Sequence, residues 1–462
     1  MTQHLPAPVT ETAAPGERRA NSVNAAEQHV AQGHHELTAR EARKVAMGAL
    51  IGNAMEWYDF FLFTVASAIV FNVQYFDTKD PVGATLASFA TFGIGLIVRP
   101  IGGVIFGAMG DRIGRRKTLM ITVIGIGLVT GLIGLLPPAA VFGFWAPMLL
   151  VLLRVAQGLF VGGEWSGAMT IVVEHAPVHQ RARYAALPQI GSPIGTILSS
   201  GGFFVVGVLM SADTFDAWGW RIPFLLSFPL LFLAVWLRSR LQESPVFQEL
   251  LETGEVELTP VRSVFKRYWK HTIVGAMAAL LGVGGFYLVA GFVTWYGTKI
   301  LGYDKNLLIL GTIVAAAFEI PTLVIGGRVA EKFGATKVIV WGAVISTVLS
   351  WPCFLLIESM NPVLLIIGMA VAVSALSIPY AASGTALTGL FPAKLRYTGA
   401  GMSQNLAGVL SGFFPLIATA LVAGAGDHWW PAATMLFLVS AATAVAGLFI
   451  PRLSVPLPGF KH

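Results

Sequence analysis

Gly107-Ala108-Met109-Gly110-Asp111-Arg112-Ile113-Gly114-Arg115-Arg116-Lys117 is a short basic turn between two long apolar stretches. Some 220 residues later, Gly327-Arg328-Val329-Ala330-Glu331-Lys332-Phe333-Gly334-Ala335-Thr336-Lys337 repeats its pattern. Gly107, Asp111, Arg112, Gly114 and Lys117 find counterparts in Gly327, Glu331, Lys332, Gly334 and Lys337. A basic turn between apolar segments, stated twice at this distance, predicts a membrane-embedded half that has been duplicated, which is how many solute carriers are built.

Composition supports a membrane protein. Hydrophobic residues make up 55% of the chain and charged ones only 12%, with a mean hydropathy of +0.72, which excludes most soluble classes. A span needs about 20 apolar residues. Twelve stretches qualify, at 45–72, 84–109, 118–137, 145–173, 184–209, 219–238, 270–298, 307–328, 336–357, 361–388, 396–423 and 428–450. Their continuous apolarity argues for helices, because barrel strands alternate. The fold class expected is an all-α membrane protein of twelve transmembrane helices in two six-helix halves.

Leaving aside Arg99 and Arg154 within the spans and counting Lys and Arg at span ends with the adjoining loop, the basic residues divide 24 to 4, with the even-numbered loops and both termini holding the larger share. The positive-inside rule then puts both termini in the cytoplasm. The net charge of +6 reads as this topology signal, and no basic stretch is interleaved with aromatics as a nucleic-acid partner would require. The organisation expected is a disordered cytoplasmic tail over 1–40, a six-helix half over 41–238, a cytoplasmic linker over 239–269, a second half over 270–452 and a tail over 453–462. Residues 1–40 lack the apolar core of a signal peptide. Cys353 is the sole cysteine, which rules out an intramolecular disulfide and a Cys-based metal site. No metal or organic cofactor is expected. Absence of a Ser-His-Asp set or a phosphate loop disfavours an enzyme.

Ionisable residues at membrane depth cost at least about 2.5–3.5 kcal/mol each, so they mark function or deliberate pairing. Six are legible: Glu56 and Asp59 in span one, Arg99 in span two, Arg154 and Glu164 in span four, and Glu319 in span eight. Four acids against two bases leave an excess that must be protonated or facing water, the setting of a proton-coupled carrier. Glu56, Arg99 and Glu164 sit at similar depth, about 15 Å from the cytoplasmic ends. Arg99 therefore pairs with one of those acids, either as a clamp on the bundle or as part of coupling. Asp59 lies one turn further out, nearer the midplane.

Gly107-x-x-x-Asp111-Arg112-x-Gly114-Arg115-Arg116 resembles the loop signature of the major facilitator superfamily, and Arg154-x-x-Gln157-Gly158-x-x-x-Gly162-Gly163-Glu164 resembles its fourth-helix motif. Asn53-x-x-Glu56-Trp57-Tyr58-Asp59-Phe60, Arg99-Pro100-x-Gly102-Gly103, Trp218-Gly219-Trp220-Arg221-Ile222-Pro223-Phe224 and Glu243-Ser244-Pro245 resemble the metabolite:proton symporter family. Pro188 to Gly195 and Leu395 to Ala400 look closest to its shikimate-transporting branch.

The resemblance implies proton-driven import of a small organic acid, favouring a shikimate-like hydroxy acid, through a central cavity that opens alternately to each side. The implied setting is the inner membrane of a prokaryote, with protons, a small solute and the bilayer as partners and a monomer as the working unit. Import of a zwitterion such as proline or betaine, and proton-driven export on the same fold, are the competing readings. Likeness to sugar/proton symporters implies that Asp59 pairs with Arg154 and exchanges a proton, with Glu56 and Glu164 as further coupling candidates. It places Gln189, Gln404 and Asn405 in the cavity. Tyr287, Trp295 and Tyr296 are candidates for an aromatic wall, and Arg99 and Gln157 for solute contacts.

The basic turn has a reading of its own. Gly107, Asp111, Arg112, Gly114, Arg115 and Arg116, with Glu331 and Lys332 in the second copy, form a candidate latch that closes the cytoplasmic side. Arg115, Arg116 and Lys117 read equally well as topology anchors.

Overall fold

The computed structural model describes residues 39–76 and 81–455. The tails expected over 1–40 and 453–462 therefore fall almost wholly outside the described residues. Among the described residues every regular element is helical. Eleven helices are long and apolar enough to cross a membrane, and a twelfth, α1 (Ala39–Ala66), is polar in its interior because it carries Asn53, Glu56 and Asp59. The others are α2 (Pro81–Ile113), α3 (Arg115–Leu135), α4 (Trp145–His175), α5 (Val178–Leu209), α6 (Ala212–Ser239), α7 (Trp269–Lys299), α8 (Lys305–Phe333), α9 (Ala335–Glu358), α10 (Pro362–Gly389), α11 (Ala393–Gly424) and α12 (Trp430–Leu453). Two short helices, Pro245–Glu252 and Pro260–Arg267, occupy the polar stretch between the halves, each started by a proline at its first turn where the missing N–H costs nothing.

The apolar residues point outward as well as inward. On α3, Ile121, Ile124, Leu128, Leu132 and Leu135 recur at three- or four-residue spacing, and all are exposed, a stripe suited to lipid. The opposite face buries Thr118, Thr122, Val123, Ile126 and Thr130.

The repeat is visible in the packing. Helix α1 lies on α5, α2 on α4, and α3 on α6, and the same pairs recur as α7 on α11, α8 on α10, and α9 on α12. Across the halves the large contacts are α2 with α11 and α5 with α8, which exchange under the same duplication. Within a half the helices approach backbone to backbone. A Cβ on Gly158 would collide with the Gly95 carbonyl, and one on Gly162 with the carbonyl of Arg99, so the α2–α4 contact needs small residues. Helix α7 leaves the α-helical wind over Leu281–Gly285 and Tyr287–Phe292. Such π segments cluster at functional positions, and this one faces the centre of the bundle.

Candidate functional site: a carboxylate and arginine array around a central cavity

Asp59 on α1 is 1% exposed and is held by three side chains from two neighbouring helices. Arg154 Nη1 on α4 lies 3.4 Å from its Oδ2, Thr130 Oγ1 on α3 donates to Oδ1 at 2.7 Å, and Gln157 Nε2 donates to the same oxygen. Gln157 also accepts from Arg154 Nη1 through Oε1, and the guanidinium sits 4.3 Å from the ring centre of Phe63. One charge of each sign, with hydrogen-bonding amide and hydroxyl groups around them, satisfies the carboxylate in a dry setting. It also makes the set sensitive to a proton: neutralising Asp59 would remove the charge partner of Arg154.

One turn along α1, Glu56 Oε1 pairs with Arg99 Nη1 of α2 at 3.3 Å, while Glu56 Oε2 is buried without a hydrogen-bond partner. This pair opens on a small cavity of about 20 Å³, lined by Trp57, Trp165, Tyr287, Tyr380, Gln404 and Asn405 among others. That volume suits about one water molecule. Trp57 and Phe60 of α1 close over it against Phe286 and Tyr287 of α7, with the Phe60 and Tyr287 rings stacked at 4.9 Å. A solute larger than water therefore enters only when the two halves part.

Glu164 does not join this group. Its carboxylate takes both terminal nitrogens of Arg238 on α6, one of them at 2.9 Å, and accepts from Thr122 Oγ1 at 2.7 Å. Arg238 also donates to the carbonyls of Gly48 and Leu119, tying α1, α3, α4 and α6 together. Sequence reasoning missed Arg238 because it stands at the last position of a span. With it counted, the membrane-depth acids number four and the bases three, and only Glu319 lacks a cationic partner among the described residues.

At the basic end the halves are bolted to one another. Asp111 accepts from the backbone N–H groups of Tyr397 and Thr398, at the start of the Arg396–Gly412 segment of α11. Arg115 donates to the Ala393 carbonyl at 2.8 Å and lies 3.3 Å from Glu174, and Arg396 donates to Glu174 Oε1 at 2.8 Å. Glu243 accepts from the N–H groups of Arg115 and Arg116, capping α3 where Gly114, at φ 119°, turns the chain. A side chain at Gly107 would press on the Thr398 backbone, so its glycine lets α2 and α11 meet.

The remaining sequence candidates fall in several places. Arg99, Tyr287, Gln404 and Asn405 line the cavity, with Asn405 donating to the Gly162 and Gly401 carbonyls. Gln157 belongs to the Asp59 cluster instead. Gln189 stands behind the wall, where it accepts from Trp165 Nε1 at 3.1 Å and donates to Ser383 Oγ at 3.0 Å. Tyr296 is remote from the cavity, donating to Glu358 at 2.8 Å, and Trp295 packs beside it on Phe292. Arg112 and Lys332 are exposed and Glu331 is half-buried; none of the three joins the bonds that close the basic end. Glu174, Glu243 and Arg396 do join them. Arg396 and Glu243 lie in motifs already singled out in the sequence, whereas Glu174 sits just beyond a predicted span and gave no signal.

A repeated twelve-helix bundle, with a polar cavity at the meeting of its halves and buried ion pairs around it, defines a multi-pass membrane transporter. The model for the sugar (and other) transporter family matches residues 45–267. The chain is 35% identical over 416 residues to the shikimate transporter of Escherichia coli (strain K12), covering 88% of this chain and 95% of that protein. It is 32% identical over 430 residues to the glycine betaine/proline/ectoine/pipecolic acid transporter OusA of Dickeya dadantii (strain 3937), covering 90% and 85%. Among solved structures, the proton:xylose symporter XylE bound to 6-bromo-6-deoxy-D-glucose superposes with a TM-score of 0.69 at 17% identity, over 90% of this chain and 96% of that one. The chain belongs to the metabolite:proton symporter family of the major facilitator superfamily.

Proposed function

We propose that this transporter imports a small hydroxylated organic acid, shikimate-like in size and charge, together with protons by alternating access in the inner membrane of a bacterium. The observation that carries the reading is the Asp59 cluster, a carboxylate shared by Arg154, Thr130 and Gln157 one helical turn from a cavity that contains Arg99. Arg99 supplies a cation for a solute carboxylate, and Gln404 and Asn405 supply amides for hydroxyl groups. The 24-to-4 distribution of Lys and Arg puts both termini and the 239–269 linker on the cytoplasmic side. On that reading the closed end bearing Asp111 is the cytoplasmic gate. A proton on Asp59 weakens its hold on Arg154 and biases the bundle toward the rearranged state.

A zwitterionic solute is the second reading, favoured by the Glu56–Arg99 pair. It offers the cavity one charge of each sign, with Glu56 Oε2 unpartnered. Purified protein in liposomes, given labelled shikimate or labelled betaine under an imposed pH gradient, separates the two. Accumulation of shikimate driven by an inward proton gradient is the expected outcome. Accumulation of betaine alone overturns the organic-acid reading, and solute expulsion driven by the same gradient overturns import.

A further inference from the structure

Glu319 lies at the centre of α8, with fourteen residues on either side within Lys305–Phe333, which puts it about 21 Å from each helix end. It is 2% exposed. Its Oε1 accepts from Ser192 Oγ of α5 at 3.0 Å, Ser377 of α10 is the other hydroxyl in reach, and Oε2 is buried without a hydrogen-bond partner. Ile190, Leu323, Tyr380 and Ala381 form the apolar cluster at this contact, with Ile194 and Ile320 packed against it. The groups that face the carboxyl from the packed helices are thus two hydroxyls and the Tyr380 phenol, with no cation among the described residues. A bare carboxylate there would be a buried charge with one hydroxyl donor in place, which is far more costly than a neutral acid.

The contact that encloses Glu319 joins the halves. Ser192 belongs to the first half and Glu319 to the second, and α5 against α8 is one of the two large surfaces that must separate as a cavity opens between the halves. Gln189, one helical turn before Ser192, is hydrogen-bonded to Tyr380 and Trp165, both of which line the cavity. Movement at the solute site is therefore mechanically continuous with the Ser192–Glu319 bond.

We propose that Glu319 is a second proton-binding site of the carrier, loaded while the α5–α8 contact is closed and exchanging its proton when that contact parts. It is distinct from Asp59, whose proton competes with Arg154; Glu319 has no such competitor, and its proton is held by exclusion of water. The inference rests on proton coupling for its transport role and on the structure alone for its protonation.

Infrared difference spectra of the protein in lipid bilayers, with shikimate transport measured on the same preparations, test both parts. A carbonyl stretch of a protonated carboxyl should be present at neutral pH, should vanish in Glu319→Gln and should survive in Asp59→Asn. Glu319→Gln should also reach a lower shikimate accumulation at the same pH gradient while retaining counterflow. Persistence of the band in Glu319→Gln overturns the site, and accumulation equal to the parent overturns its role in coupling. A parent that accumulates neither shikimate nor betaine under the gradient defeats the coupling reading separately, and the band alone then decides whether Glu319 binds a proton. Should Glu319→Gln not fold, Ser192→Ala keeps the acid and removes its donor; an unmoved band in that variant also overturns the site.

Discussion

Asp111 of α2 accepts hydrogen bonds from the backbone N–H groups of Tyr397 at 3.3 Å and Thr398 at 2.9 Å, across the contact between the two halves. Those N–H groups lie in the first turn of a helical segment, where no partner exists within the helix and the dipole favours a negative charge. The same side chain lies 3.5 Å from Arg115 Nη2, which reaches across to the Ala393 carbonyl. One acid thus fastens both members of the latch to the facing half.

Asp111→Asn should slow transport by about tenfold or more while leaving membrane insertion intact. An amide keeps one acceptor but loses the charge-assisted bonds, each worth about 1.5–3 kcal/mol, and about 1.4 kcal/mol is a tenfold shift in a conformational equilibrium. Counterflow of solute at matched expression measures it. Rates equal to the parent would reduce Asp111 to a structural cap.

Asp59→Asn mimics the protonated acid permanently. The carrier should exchange solute downhill and in counterflow but lose accumulation driven by a pH gradient. Arg154→Ala should be worse in both assays, because it leaves Asp59 buried without a charge partner, a change that typically costs about 3–5 kcal/mol. If Asp59→Asn concentrated solute as well as the parent, coupling would pass to Glu56 or Glu319.

Arg238→Ala should lower thermal stability strongly by leaving Glu164 ionised and unpaired among α3, α4 and α6, again by about 3–5 kcal/mol. Replacing both members, Arg238→Met with Glu164→Gln, should recover much of the loss, since no charge then needs a partner. A melting temperature for Arg238→Ala equal to the parent's would show that water reaches Glu164.

The charge distribution leads us to expect both termini and the 239–269 linker in the cytoplasm, and reporter fusions check this. A reporter active only in the periplasm should stay silent when fused after Leu453 or within 239–269. Activity at either position would overturn the orientation.

The chain alone supplied the bundle. Twelve apolar stretches, the repeated turns at 107–117 and 327–337, and the charge asymmetry are one-dimensional signals, because the bilayer imposes span length and the repeat needs no contact to be seen. The Asp59–Arg154 pair was reached through resemblance to related carriers, and residue depth along a helix limited the partners of Arg99 to two acids. Depth says nothing about azimuth. Whether Glu164 faced Arg99 or Arg238, whether Gln189 and Tyr296 pointed into the cavity, and whether Glu319 had a cation beside it depended on helix rotation and neighbour identity. Tertiary packing decided these, since a helix has a full turn of faces and the backbone close approaches at Gly158, Gly162 and Gly107 select which face meets which neighbour. Glu331 and Lys332 make the same point in reverse. They repeat Asp111 and Arg112 in sequence, yet among the described residues the second copy of the turn makes no bonds like those of Asp111 to Tyr397 and Thr398; Gly327 meets Ala186 and Arg183 where Gly107 meets Thr398.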